Sequence, residues 1–278
     1  MHLCRLALVV IFTAFVFGRS DAASAETVTF QGDGVTLSGI LIAPAGKGPF
    51  PAIVALHGCG GLYDKRGAVS QRHADWAGRL VANGYVVLFV DSFGSRGARS
   101  QCRTRDRVAR AWRERLQDVL AAKAYLQNRP DIRSSAISLL GWSNGGSTVL
   151  YAVQPRSRPH DGKPDFAKAV AFYPGCRVPA KQGNWHARLP LLILIGAADD
   201  WTPAAPCEAL AKNAAATDEK VSIKVYPDAY HDFDHPNLPV HTVGHLAYTG
   251  GGTGRAHTGT NPAARQDAID RVMAFLSK

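Results

Sequence analysis

Six short, largely apolar runs, at residues 53–56, 86–90, 137–140, 169–172, 191–195 and 221–226, recur along this chain with longer segments between them. Runs of this length rich in Val, Ile and Leu suit strands buried on both faces, which is the condition of a mostly parallel sheet. The intervening segments supply the covering layers. Residues 70–82, 106–127, 205–215 and 262–276 carry helical spacing, and in the second Val108, Trp112, Leu116, Val119, Leu120 and Leu126 repeat every three or four positions until Pro130. Upstream, the apolar runs 28–30 and 35–43 flank Gln31-Gly32-Asp33-Gly34, a turn signal that predicts an antiparallel hairpin. The expected fold class is therefore α/β: a mostly parallel central sheet, helices on both faces, and an N-terminal antiparallel hairpin.

No Pro/Ser-rich linker or charge run divides the interior, so residues 26–278 are read as one catalytic domain. Residues 1–25 differ in kind. Arg5 precedes an apolar stretch at 6–17, and small residues end at Ala23-Ser24-Ala25, the pattern of a signal peptide cleaved after Ala25. The stretch is shorter than the roughly 20 residues that cross a bilayer, and no later segment resembles a span. An exported protein, periplasmic or secreted, is expected. Cleavage would remove Cys4 and leave Cys59, Cys102, Cys176 and Cys207, an even number in a disulfide-permissive compartment. Of the three pairings, Cys59 with Cys102 and Cys176 with Cys207 is favoured, because each would join loops following separate strands at one sheet edge.

The formal charge of +10 falls to +9 once Arg5, Arg19 and Asp21 are gone. Nucleic-acid binding is not expected: the basic residues are scattered except between Arg96 and Arg115, and no recognition motif accompanies them. A basic periplasmic or secreted enzyme explains the charge more simply, with attraction of anionic substrates as a further expectation.

The chemistry is concentrated after four of the strands. Gly141-Trp142-Ser143-Asn144-Gly145 places a G-x-S-x-G motif between a strand-like and a helix-like run, where a tight turn would lift the Ser143 hydroxyl above the sheet. The Asn144 N–H, at the start of the helix, would face a developing oxyanion. A second donor is expected from Leu56-His57-Gly58-Cys59-Gly60-Gly61, with the Cys59 N–H preferred and His57 read as shaping the loop. A serine hydroxyl needs a base, and the base needs an acid to hold its tautomer. Asp199 or Asp200, after the run 191–195, and His231, after 221–226, follow Ser143 in the required order. His235, His241 and His245 have spacings that invite a metal reading, but Pro236, Pro239 and Gly244 break the helix that would align them; no metal and no cofactor is assigned. The glycine-rich stretch 250–254 is read as a mobile loop beside the site.

These pieces together resemble the dienelactone hydrolase family of the α/β-hydrolase superfamily over essentially the whole chain after residue 25. The resemblance rests on the Cys59 loop, on Asp91-Ser92-Phe93-Gly94-Ser95-Arg96-Gly97, on the Ser143 motif, on Gly196-x-x-Asp199-x-x-x-Pro203, and on Tyr226-Pro227-Asp228-Ala229-Tyr230-His231-Asp232-Phe233. It implies a hydrolase with Asp199, not Asp200, as the acid. Type dienelactone hydrolases have cysteine at the Ser143 position and a glutamate in the Cys59 loop. They also hold the substrate carboxylate with two arginines; Arg96 lies near the first of those places, and His235 occupies the second.

The expected activity is hydrolysis of small-molecule carboxylic esters or lactones through an acyl-enzyme on Ser143. Arg96, Trp142 and Trp201 are candidate substrate contacts, with Arg99 beside Arg96. Amide or peptide hydrolysis by the same three residues is the enzymatic alternative, and a non-catalytic exported binding protein the alternative from another class.

Overall fold

The computed structural model describes residues 23–183, 185–215 and 220–277. The expected signal segment lies outside the described residues but for its last three positions. Strand β1 (Ser24–Gln31) already spans the expected cleavage point.

Eight strands form one sheet in the order β1-β2-β4-β3-β5-β6-β7-β8. The hairpin of β1 with β2 (Thr36–Ala43) is antiparallel, and β2 runs antiparallel to β4 (Val86–Asp91). From β4 onward every pairing is parallel, through β3 (Phe50–Leu56), β5 (Ile132–Trp142), β6 (Ala169–Phe172), β7 (Leu191–Gly196) and β8 (Val221–Tyr226). Strands β4, β6 and β7 are buried at every residue, which accounts for their unbroken apolar sequences.

Chain order dictates how the faces are covered. Helix α1 (Gln71–Ala82) carries the chain one step one way, from β3 to β4, and α2 (Glu114–Gln127) carries it back across β3 to β5. Right-handed crossovers in opposite directions put these helices on opposite faces. Helices α3 (Asn144–Ala152) and α5 (Ala204–Ala215) lie in connections that continue in the second direction, on the face of α2, with the short α4 (Arg177–Lys181) against α5. The last helix, α6 (Pro262–Ser277), joins α1, where Arg265 meets Asp75 at 2.7 Å. The reversal of direction leaves a crevice beyond the carboxyl ends of β3 and β5, where ligands enter sheets of this kind. Register levels the exits there: Leu56 pairs with Gly141, and Trp142 with Phe172.

Three features depart from the sequence reading. The helix expected over 106–127 begins only at Glu114. Upstream of it backbone donors go to side chains, Val108 N–H to Gln101 Oε1 and Arg110 N–H to Glu114 Oε2, while Val108 and Trp112 stay about half exposed. Cys207 lies inside α5, the helix expected at 205–215, and not in a loop as the expected disulfide would have it. The stretch 250–254 belongs to the connection between two short antiparallel strands, β9 (His241–Val243) and β10 (Ala256–Thr258). Hydrogen bonds fasten it: Gly250 N–H donates to Asp200 O, Leu246 N–H to Gly254 O, and Arg177 Nη2 to Gly250 O.

Both expected disulfides are present, Cys59–Cys102 and Cys176–Cys207, a state compatible with export. Among the described residues no helix is long and apolar enough to cross a membrane.

Candidate active site

Ser143 stands between β5 and α3 with φ 53° and ψ −111°, a conformation that disfavours any residue bearing a Cβ. The turn is held by contact. A Cβ on Gly145 would meet Leu56 O at 2.1 Å and His57 O at 2.7 Å, and one on Gly141 would meet the Gly145 carbonyl at 2.5 Å. The glycines of the motif are thus required by backbone packing on both sides of the serine. Ser143 N–H donates to Phe172 O at 2.9 Å, which locks the turn to the end of β6.

His231 follows β8 on a loop in which Asp228 and Asp232 have φ of 55° and 59°. Its Nδ1 donates to Asp199 Oδ2 at 2.8 Å, and both side chains are buried. The other Asp199 oxygen accepts the Trp201 and Thr202 N–H groups at 2.9 and 2.8 Å, and Thr202 Oγ1 adds a bond to Oδ2. The carboxylate is therefore held in one orientation. Asp200 is used differently: its oxygens accept the His257 N–H at 2.7 Å and His257 Nδ1 at 2.8 Å, anchoring β10. Burial alone would lower the His231 pKa, but the charge and hydrogen bond of Asp199, helped by Asp232, raise it above its ordinary value.

Beneath this pair lies a polar network that the sequence reading missed. Arg72 on α1 is ion-paired with Asp232 and donates to Tyr173 Oη at 3.0 Å. Tyr173 Oη in turn donates to Asp234 Oδ1 at 2.6 Å, while Trp76 and Trp142 Nε1 both donate to Asp234 Oδ2. Burial would raise the Asp232 carboxyl, yet Arg72 and His231 hold it well below the usual range. The Tyr173 and Trp201 rings contact the imidazole, with centroids 4.5 and 4.7 Å away.

Ser143, Cys59 and Asn144 line one cavity of about 130 Å³, together with Arg107, Trp201 and Tyr248. A larger cavity of about 380 Å³ shares Arg107, Asn144, Trp201 and Tyr248 with it and extends past Trp112 and Val178. Four arginines line that extension, Arg105, Arg107, Arg110 and Arg177, and no carboxylate does. Glu114 pairs with Arg110, whereas the Arg107 guanidinium lies over the Tyr248 ring and donates to Gln101 O.

Of the candidate substrate contacts, Trp201 reaches the cavity. Trp142 is fully buried among Trp76, Phe89 and Phe172, its indole N–H taken by Asp234. Arg96 does not line the cavity; it forms a two-pronged pair with buried Asp118 at 2.8 and 2.9 Å and also donates to Ser92 O. Arg99 bonds the backbone carbonyls of Asp64 and Lys65. His57 is fully buried, donates Nδ1 to Gly58 O at 2.7 Å and packs edge-on against Phe93, a loop-shaping position. His235 and His241 engage Asn237 N–H and Pro239 O within their own loop.

Arg115, another residue without a signal in the sequence, is fully buried under both loops around Ser143. Its Nη1 donates to Asn144 Oδ1 at 2.6 Å and its Nη2 to His57 O at 2.8 Å. Burial pushes the guanidinium down to about 9, against the opposing pull of Asp118.

Comparison with known proteins matches the chain to a family model. The model of the dienelactone hydrolase family matches residues 37–278. Three similar proteins carry names that are themselves provisional. A hydrolase of Bacillus subtilis is 30% identical over 112 residues, 36% of this chain and 38% of that protein, so the chain spans well under half of it. A carboxymethylenebutenolidase of Synechocystis is 25% identical over 225 residues, 74% of this chain and 85% of the other. The crystal structure of a dienelactone hydrolase from Klebsiella pneumoniae superposes with a TM-score of 0.69 at 18% identity, covering 92% of this chain and 99% of that one.

Proposed function

The chain belongs to the dienelactone hydrolase family, and from that premise we propose that it is a serine hydrolase cleaving carboxylic esters or lactones through an acyl-enzyme on Ser143. The observation that carries this reading is the backbone of Ser143, held at φ 53° between β5 and α3 by glycines that admit no side chain. A fold holds a residue in so unfavourable a conformation where the position of its side chain matters.

The arrangement supports the following steps. His231 takes the Ser143 proton as the hydroxyl attacks the ester carbonyl, and Asp199 keeps the imidazole with its proton on Nδ1 and stabilises the charge that forms. The oxyanion is received by the N–H of Asn144, at the open first turn of α3, and the N–H of Cys59. His231 returns the proton to the leaving alcohol, and water then releases the acyl group by the same route. In a lactone the leaving alcohol remains part of the acyl-enzyme, so the ring opens before water enters.

The two cavities support a substrate with an apolar or aromatic body beside Trp201 and Trp112 and an anionic group toward Arg105, Arg107 and Arg177. Export after cleavage near Ala25 is part of the same proposal and is supported by the two disulfides. The test is turnover of a short panel of p-nitrophenyl esters, with fluorophosphonate labelling of the same protein. Wild-type turnover lost in Ser143→Ala, with labelling lost in parallel, is the expected result. Turnover that survives the alanine change would sink the serine mechanism, and a protein that neither turns over nor labels would be a binding protein.

A further inference from the structure

Burying a guanidinium without a carboxylate is expensive, and Arg115 is in that position. Asp118, one turn further along α2, pairs instead with Arg96. The direct partners of Arg115 are two neutral oxygens, Asn144 Oδ1 and His57 O; its Nε is buried with no partner, and the Phe93 ring covers its carbon at 5.1 Å. Apolar packing at this position would be less costly, so the interest lies in what the two oxygens belong to.

Asn144 bears one of the two expected oxyanion donors. His57 lies two residues before Cys59, which bears the other. The loops carrying them touch where Gly145 meets the carbonyls of Leu56 and His57, and Arg115 grips both at that contact. We propose that Arg115 is a positioning residue that sets the separation of the Cys59 and Asn144 N–H groups, so that both reach one oxyanion at the transition state. The proposal rests on the serine-hydrolase reading. Arg115 does not itself line the Ser143 cavity and acts through the two loops it holds.

A donor misplaced by a fraction of an ångström loses most of its worth in the transition state and little in the ground state, because the substrate carbonyl carries less charge than the oxyanion. The signature is a fall in kcat with KM nearly unchanged. Arg115→Met, which keeps the volume and removes the fork, is expected to lower kcat by about 100-fold. Arg115→Lys reaches one oxygen at a time and should recover part of the loss.

The experiment measures kcat and KM of wild type, R115M and R115K on one p-nitrophenyl ester, each per fluorophosphonate-titrated serine so that unfolded protein does not count. Melting temperatures and binding of a boronic acid, which forms a tetrahedral adduct with the serine, are measured alongside. Supporting results are a kcat loss in R115M without a matching KM change, weakened boronate binding, and partial rescue by lysine. Wild-type turnover with R115M within about threefold of it in kcat overturns the clamp alone, as does a loss that appears only in KM. If R115M does not fold, R115K decides: a full wild-type kcat overturns the clamp, and a reduced kcat at unchanged KM supports it. A wild type without turnover or labelling overturns both the clamp and the serine reading.

Discussion

Asp199 and His231 are joined by a single 2.8 Å hydrogen bond between buried side chains, whereas the adjacent carboxylate, Asp200, turns the opposite way to hold His257. Two neighbouring aspartates thus divide the work after β7. One accepts the His231 Nδ1–H, and the other fastens the hairpin that walls the cavity.

On the proposed mechanism His231 must be neutral to accept the Ser143 proton, and its pKa is raised above the ordinary 6.5 because Asp199 outweighs burial. Activity should therefore rise with pH through a midpoint above 6.5. Stability from the same group runs the other way, being complete below the unfolded value and lost as pH rises through the raised one. Asp199→Asn should lower kcat by about 10³- to 10⁴-fold and move the midpoint down. A kcat/KM profile for both proteins checks this, and a midpoint unchanged by the substitution would refute the assigned pairing.

Asp200→Asn is the contrasting substitution. Its partner His257 and its own carboxylate are both nearly half exposed, so the ion pair is worth little. The amide keeps one oxygen for the His257 N–H and loses the charge and the second oxygen that faces His257 Nδ1, so the change should cost no more than about 1 kcal/mol of stability, with kcat within a few-fold of wild type. A collapse of kcat equal to that of D199N would show that the two aspartates had been assigned the wrong way round.

Strain at Ser143 is open to direct measurement. The angles φ 53° and ψ −111° are the mirror image of a region ordinary residues occupy freely, so glycine alone adopts them without penalty. Ser143→Gly and Ser143→Ala should both be inactive. The glycine variant should be the more stable by about 1 kcal/mol, the release of strain being offset in part by the greater freedom of its unfolded chain. Denaturant unfolding of the two compares them; equal midpoints would mean that the strain at the turn is no larger than the entropic cost of the glycine.

Much of this architecture was legible because it depends on short-range pattern. Unbroken apolar runs marked β4, β6 and β7, and the glycines around Ser143 marked a turn that only glycines fit. What escaped depended on partners distant in sequence. Arg96 looks like a surface arginine until α2 brings Asp118 beneath it, and Trp142 looks like a pocket wall until Asp234, 92 residues on, takes its N–H. Arg115 falls on the buried stripe of α2 with Asp118, Val119 and Ala122, spaced as a helix face should be. An apolar template passes over Arg115 because three of the six buried residues of α2, Arg115, Asp118 and Lys123, are charged. The false helical start at residue 106 has the same origin, since the spacing of Val108 and Trp112 was real but both are about half exposed, Trp112 along the cavity lining.

The disulfide Cys59–Cys102 ties an expected oxyanion donor to the segment that supplies Arg105 and Arg107, across 43 residues. Loop-closure entropy gives it about 4 kcal/mol of stabilisation. Replacing both cysteines with serine should lower the melting temperature and also reduce kcat, because the Cys59 loop loses its outer tether. Cys176–Cys207, which closes 31 residues, should give a similar stability loss when replaced. Calorimetry with kinetics on the two double variants checks this, and equal kcat in both would mean that the outer tether does not matter to the Cys59 N–H.

Arg107 lines both cavities and is the cation closest to a functional assignment there. Its Nε is committed to Gln101 O and its face to Tyr248, which fixes the guanidinium without neutralising it. Burial pushes its pKa down, the mark of a charge drawn partly out of water with no acid beside it. A charge so placed attracts an anionic group more strongly than a solvated one and is less screened by salt. Between two p-nitrophenyl esters of matched length, one neutral and one ending in a carboxylate, wild type should favour the anionic ester in kcat/KM. Arg107→Gln should cut that preference by about tenfold, mostly through KM, and leave the neutral ester nearly unchanged. Equal losses on both esters would make Arg107 a packing residue of the wall and leave the anionic preference to Arg105 and Arg177.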